Sequence, residues 1–127
     1  MEKLMYCKEY NLNKISVNLL WQYISTPTGL ATWFADAVEA DGKDISFFWN
    51  KEESKAEISG IRQGSHIRFH WMDDCNPKTY FELRISHNEL TGNVVLTVTD
   101  FAEQDEVDDS KKLWDEQISA LRKRLGT

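Results

Sequence analysis

Apolar positions along this chain change their period twice, and the changes mark out its elements. "LMYCKEYNLN" begins as a strand and runs into a polar loop, where Asn13 is placed to cap a helix. Val17, Leu20, Trp21 and Ile24 then recur at helical spacing, which predicts that helix from about Lys14 to Ser25 with one apolar face. "STPTG" breaks it, and Pro27 opens a second, short helical piece that carries Leu30, Trp33 and Phe34. That piece raises a geometric problem, because adjacent rings on so short a helix cannot both face one core.

From Ala37 to Phe101 the period is two, with turn signals at intervals, which is the pattern of an antiparallel meander. "DGK" at Asp41 to Lys43 is a hairpin turn. Ala56, Ile58 and Gly60 alternate with Lys55, Glu57 and Ser59. Ile67, Phe69 and Trp71 alternate with Arg68, His70 and Met72, and Phe81, Leu83 and Ile85 with Tyr80, Glu82 and Arg84. The final strand sets Val94, Leu96 and Val98 against Thr97 and Thr99. Each strand has a single apolar face, so the sheet is covered on one side only. The cover is the end of the chain, where Val107, Trp114, Ile118, Leu121 and Leu125 form a stripe on a helix of about five turns. Acidic residues precede this helix and Arg122, Lys123 and Arg124 end it, as the helix dipole favours. The fold class is α+β in one domain, residues 1–127: strand, helix, short helix, six strands and a long helix, with no repeat or linker dividing it.

This order, a curved antiparallel sheet of six or seven strands around a long terminal helix, is similar to the helix-grip fold. "LLWQYISTPTGLATWFAD" resembles the start of the START-like (SRPBCC) superfamily, in particular the branch of activators of the heat-shock protein 90 ATPase. "FFWNKEESKAEISGIRQGSHIRFHW" resembles the middle of that branch, and "LWDEQISALRKRLG" its closing helix. The resemblance implies a cavity between the concave sheet and the long helix, used in the family for sterols, lipids, polyketides or other apolar ligands. Candidates for its wall are Trp33 and Phe34 from the short helical piece, with Trp21 within reach. Phe47, Trp49, Phe69, Trp71, Phe81, Leu83, Leu96 and Val98 come from the strands, and Trp114, Ile118 and Leu121 from the helix. The same side chains have an ordinary alternative as core filling, which makes a small or partly filled cavity the expectation. If one ring of the Trp33–Phe34 pair enters the mouth while the other packs under the first helix, both are buried.

Composition sharpens this. Aromatic residues make up 12% of the 127 residues, with five tryptophans. A formal net charge of −6 opposes nucleic acid or an anionic membrane as partner, since both need a basic face. No apolar run has the length of a membrane span, the start has no signal-peptide pattern, and a cytoplasmic protein is expected. Cys7 and Cys75 read as free thiols, with one disulfide the alternative.

Catalytic and metal signatures are missing from the sequence. His66 and His70 lie about 13 Å apart along one strand, too far for one ion. His87 with Glu89, and Asp73 with Asp74, fall in apparent turns where solvation accounts for them. "GIRQGS" joins two strands and lacks the Lys-Ser/Thr of a phosphate loop. Tyr23, Cys75 and Asp100 are the polar candidates near the groove. Their ordinary readings are a surface group, a small buried hydrophobe and a strand-end turn residue. The expectation is a non-enzymatic domain without cofactor or metal that binds a small apolar ligand. The alternatives are a chaperone ATPase regulator or other protein partner, and an enzyme such as a cyclase or hydrolase. Sheet edges and Phe48, of opposite parity to Phe47 and Trp49, leave room for a homodimer.

Overall fold

Seven segments of alternating apolar residues pair into a single antiparallel sheet in the order β1-β7-β6-β5-β4-β3-β2, with β1 and β2 at its edges. The computed structural model describes residues 2–127. The strands are β1 (Lys3–Asn11), β2 (Ala37–Asp41), β3 (Asp44–Trp49), β4 (Glu52–Arg62), β5 (His66–Trp71), β6 (Phe81–His87) and β7 (Val94–Glu103). Helices α1 (Val17–Ser25) and α2 (Pro27–Leu30) follow β1, and a 3-10 turn (Gln104–Glu106) leads into α3 (Val107–Leu125). The meander runs from β2 to β7, and β1 closes onto β7 with Tyr6 opposite Asp100 and Tyr10 opposite Leu96.

One face of the sheet is dry. Phe47, Phe69, Phe81, Leu83, Leu96 and Val98 point into it and are buried, and α3 covers them with Trp114, Ile118 and Leu121. Gly126, at φ 77°, ends α3 in the left-handed conformation and hands its N–H to the Arg122 carbonyl. The opposite face holds Glu82, buried between Arg68 and Arg84, each 3.1 Å away, with the Arg68 guanidinium 3.8 Å from the Tyr80 ring centroid. Burial pushes the Glu82 carboxyl up, but the two guanidiniums outweigh it and hold it below the usual glutamate value.

Several local expectations are corrected. The first helix begins at Val17, three residues later than its spacing predicts, and Ser16 caps it by accepting from the Leu19 N–H at 3.2 Å. Asn13 is instead left-handed, at φ 63°, and its carbonyl accepts from Val94 N–H, tying the loop to β7. Asparagine tolerates that conformation, so it serves the turn and not the cap. In β4 the alternation stops at Gly60, because a bulge between Ile58 and Gly60 shifts the register and sets Ile61 opposite Ile67. Phe48 is half-buried, not exposed. Cys7 and Cys75 are free thiols, both exposed, so Cys75 is not a buried hydrophobe.

The loop from Met72 to Tyr80 is organised by one carboxylate. Asp74 accepts from the Thr79 hydroxyl at 2.6 Å, from Asn76 N–H at 3.0 Å and from Lys3 Nζ at 3.0 Å. Asp74 is therefore a built element of the loop and not merely a solvated acid. Among the described residues no helix is long and apolar enough to cross a membrane.

Close approach of α1 and α2 depends on Gly29. A Cβ there would come within 2.7 Å of Tyr23 Cα and 2.9 Å of Gln22 C, both backbone atoms that cannot swing aside. Gly29→Ala is expected to cost about 1–3 kcal/mol, read as a lower urea midpoint at unchanged slope. A wild-type midpoint would show that the two helices are free to separate.

Candidate functional site

Helix α2 ends at Leu30, earlier than the sequence pattern predicts, and Trp33 and Phe34 sit on the turns beyond it. Those turns are held by one carbonyl: Leu30 O accepts from Trp33, Phe34 and Ala35 N–H at 3.4, 2.9 and 3.3 Å. Leaving the helix lets the two rings meet edge to face, with centroids 5.5 Å apart, while each packs against a different element. Trp33 turns under α1, where its Nε1 donates to Tyr23 O at 2.9 Å. Phe34 turns toward the sheet and packs against Phe47, Trp49, Phe81 and Trp114 at centroid distances of 5.0 to 5.7 Å. Its carbonyl accepts from Trp49 Nε1 at 2.9 Å and Gln117 Nε2 at 3.2 Å, which ties the segment to both β3 and α3.

Beside Phe34 a cleft of about 370 Å³ opens between sheet and helix. Phe34, Trp49, Trp71, Phe81 and Trp114 supply its aromatic wall. Asp100, Ser110, Leu113 and Gln117 complete it. Trp49 and Trp71 also border a recess of about 610 Å³ with Glu53, Ser54, Lys55, Met72 and Asp73. That recess is wetter and more charged, so the smaller cleft is the better candidate for an apolar ligand.

Of the candidates read from sequence, five therefore meet at the cleft. Trp33 lies behind it, against α1. Phe47, Phe69, Leu83, Leu96, Val98, Ile118 and Leu121 are at most 1% exposed and fill the core beneath. Trp21 is also in that core. Tyr23 contributes its backbone carbonyl to Trp33, and Cys75 lies in the Met72–Tyr80 loop.

Asp100 is the polar group that sequence reasoning set aside. It is not a strand-end turn residue, because β7 continues to Glu103. Its parity matches Leu96 and Val98, so it points to the concave face, and that signal was present in the sequence. Ser110, Leu113 and Gln117 were missed, although Ser110 and Gln117, four residues before and three after Trp114, share its face of α3 and Leu113 lies at the exposed rim. Asp100 Oδ1 accepts from Phe101 N–H at 2.7 Å and Oδ2 from Trp114 Nε1 at 2.8 Å. Burial raises its carboxyl above the usual aspartate value, and the Trp114 and Phe101 donors offset this only in part. Next to it Tyr6, on β1, hydrogen-bonds through its hydroxyl to Ser110 Oγ, and its phenol is pushed up to about 12, chiefly by burial.

Other titratable clusters are structural. Glu103, Asp105 and Glu106 bring carboxylate oxygens within 4.8 Å of one another, at the N-terminal end of α3 where acidic charge suits the dipole. His70 Nδ1 bonds to Thr79 O at 2.8 Å, and His66 Nδ1 to Ser65 Oγ at 3.1 Å.

The two buried or bonded aspartates act on stability with opposite signs. Asp74 is held down to about 2, first by the Thr79 hydroxyl and then by Asn76 N–H, so its contribution is present above the usual carboxylate range and lost as pH falls toward 2. Asp100 is raised, so its folded form favours the proton, and that contribution fades as pH rises through its folded value. Carboxyl-carbon NMR titration is expected to place Asp100 above and Asp74 below the usual aspartate value. The reverse order would contradict both environments.

Comparisons with known proteins agree with this architecture. The START-like superfamily domain matches residues 1–127. The solution structure of BfR322 from Bacteroides fragilis is 54% identical, with a TM-score of 0.70, and the match covers 98% of this chain and 92% of that one. The Aha1 dimer from Colwellia psychrerythraea is similar in fold at 15% identity and a TM-score of 0.78, covering 96% of both chains. DynU16, from the dynemicin biosynthetic locus, has a TM-score of 0.80 at 18% identity, covering 97% of this chain and 47% of that longer one. Among curated proteins no sequence matches. With the whole-chain match and the BfR322 likeness, the sheet gripping α3 identifies this chain as a member of the START-like superfamily.

Proposed function

We propose that this domain binds a small, largely apolar ligand in the cleft between the sheet and α3, without catalysing a reaction on it. The observation that carries the reading is the cleft itself: five aromatic side chains around about 370 Å³, with Asp100 as the one charged wall residue. That volume is at the small end of the range for ligand sites, and the aromatic-to-polar balance is the one such sites share. Trp49 and Trp71 are only half-buried, so the indoles form the lips of an accessible opening. In the wall Ser110 Oγ bonds to the Tyr6 hydroxyl and not directly to a base, and Asp100 holds two N–H donors.

A second reading is regulation of a chaperone ATPase of the heat-shock protein 90 type. What favours it is the end-to-end likeness to the Aha1 dimer, which is a likeness of fold. The same likeness suggests a homodimer, for which the open edges of β1 and β2 are available. The cleft ranks ligand binding first, because a surface that acted only on a protein would not need an aromatic-walled recess.

The neutral fluorophore N-phenyl-1-naphthylamine tests the first reading. It is expected to bind saturably, quenching tryptophan emission by energy transfer from the indoles at the cleft. Leu113→Trp, at an exposed rim position, is expected to block entry and weaken binding about tenfold or more. Binding that does not saturate, or that ignores the rim substitution, would remove the cleft as the site.

A further inference from the structure

Asp100 is a carboxylate without a counter-ion in an aromatic cleft. Among the described residues it takes part in no ion pair. Lys3, a nearby cation, has its Nζ committed to Asp74 at 3.0 Å, and Lys111 lies over the Tyr6 ring, 5.7 Å from its centroid. Two N–H donors satisfy one site on each oxygen, at 2.7 and 2.8 Å, the Tyr6 hydroxyl is a further donor beside it and Lys3 acts on it only through space, whereas an ionised carboxylate offers about four such sites. Holding the two N–H groups alone requires only neutral acceptors. A recessed charge is costlier than that, and the cost falls when an opposite charge arrives.

The remaining wall suits the same visitor. Three indoles, of Trp49, Trp71 and Trp114, and two phenyl rings face the space, and the negative faces of such rings attract cations. Ser110 and Gln117, the only other polar wall residues, are already engaged with Tyr6 and with the Phe34 carbonyl. No cationic side chain stands in the wall to receive an anion.

Resting on the ligand-binding reading above, we propose that the cleft selects an organic monocation, an amine or quaternary ammonium group on an apolar body. The cation meets Asp100 and the body lies against the indoles. Family likeness and aromatic content alone would leave the ligand neutral, and Asp100 gives it a charge.

Three probes of one shape test it: 2-naphthylmethylamine, 2-naphthalenemethanol and 2-naphthoate, each competed against N-phenyl-1-naphthylamine on the full chain at neutral pH. The amine is expected to bind about tenfold or more tighter than the alcohol, and the carboxylate weakest. Asp100→Asn is expected to bring the amine-to-alcohol ratio close to one. Should that variant not fold, the wild type still decides, because bound amine moves the Asp100 carboxyl midpoint to lower pH and bound alcohol does not. If the alcohol binds as tightly as the amine, the cation is wrong while apolar binding stands. If neither the fluorophore nor any probe binds, both readings fall. Selectivity that persists in Asp100→Asn, or an Asp100 midpoint indifferent to the amine, overturns the assignment to Asp100.

Discussion

Phe34 joins the three parts of this structure. Its ring touches Trp33, Phe47, Trp49, Phe81 and Trp114, and its carbonyl receives one N–H from β3 and one from α3. Aromatic pairs of this kind add about 0.5–1.5 kcal/mol each beyond the area they bury. The doubled hydrogen bond adds direction: the segment after α2 cannot slide along the sheet without breaking a contact to the helix. Sheet, helix and connecting turn are therefore fixed against one another at one residue. The cleft lies where that junction stops filling space.

Most of the architecture was legible in the sequence because it rests on period. The switch from helical spacing at Val17–Ile24 to alternation from Ala37 onward, and back to helical spacing after Val107, fixes the number and order of the elements. What escaped depends on single residues. Asn13 and Ser16 are both good caps, and only the need of β7 for the Asn13 carbonyl decides which one serves. The bulge before Gly60 leaves no trace in hydropathy. Trp33 and Phe34 looked incompatible because a helix was assumed beneath them, and the chain solves the problem by ending α2 at Leu30.

The site was half legible, for a related reason. Aromatic content and parity point to a concave aromatic face but do not say which rings stop short of close packing. Phe47 and Phe69, inside their strands, are completely enclosed, whereas Trp49 and Trp71, at the ends of the same strands, are not. Position along the strand made the difference, and burial sorted what pattern could not. Asp100 shows the opposite error. Its parity places it beside Leu96 and Val98, yet a carboxylate on an apolar face invites the reading that the strand has ended. Here the strand runs on, and the exception to the hydrophobic pattern marks the wall of the cleft.

Five tryptophans distributed between core and cleft give the account its sharpest measurement. In an NMR titration with N-phenyl-1-naphthylamine that resolves the indole N–H signals, those of Trp49, Trp71 and Trp114 should move together to saturation while Trp21 and Trp33 stay in place. A response centred on Trp21 and Trp33, or equal at all five, would contradict a binding cleft built around Phe34.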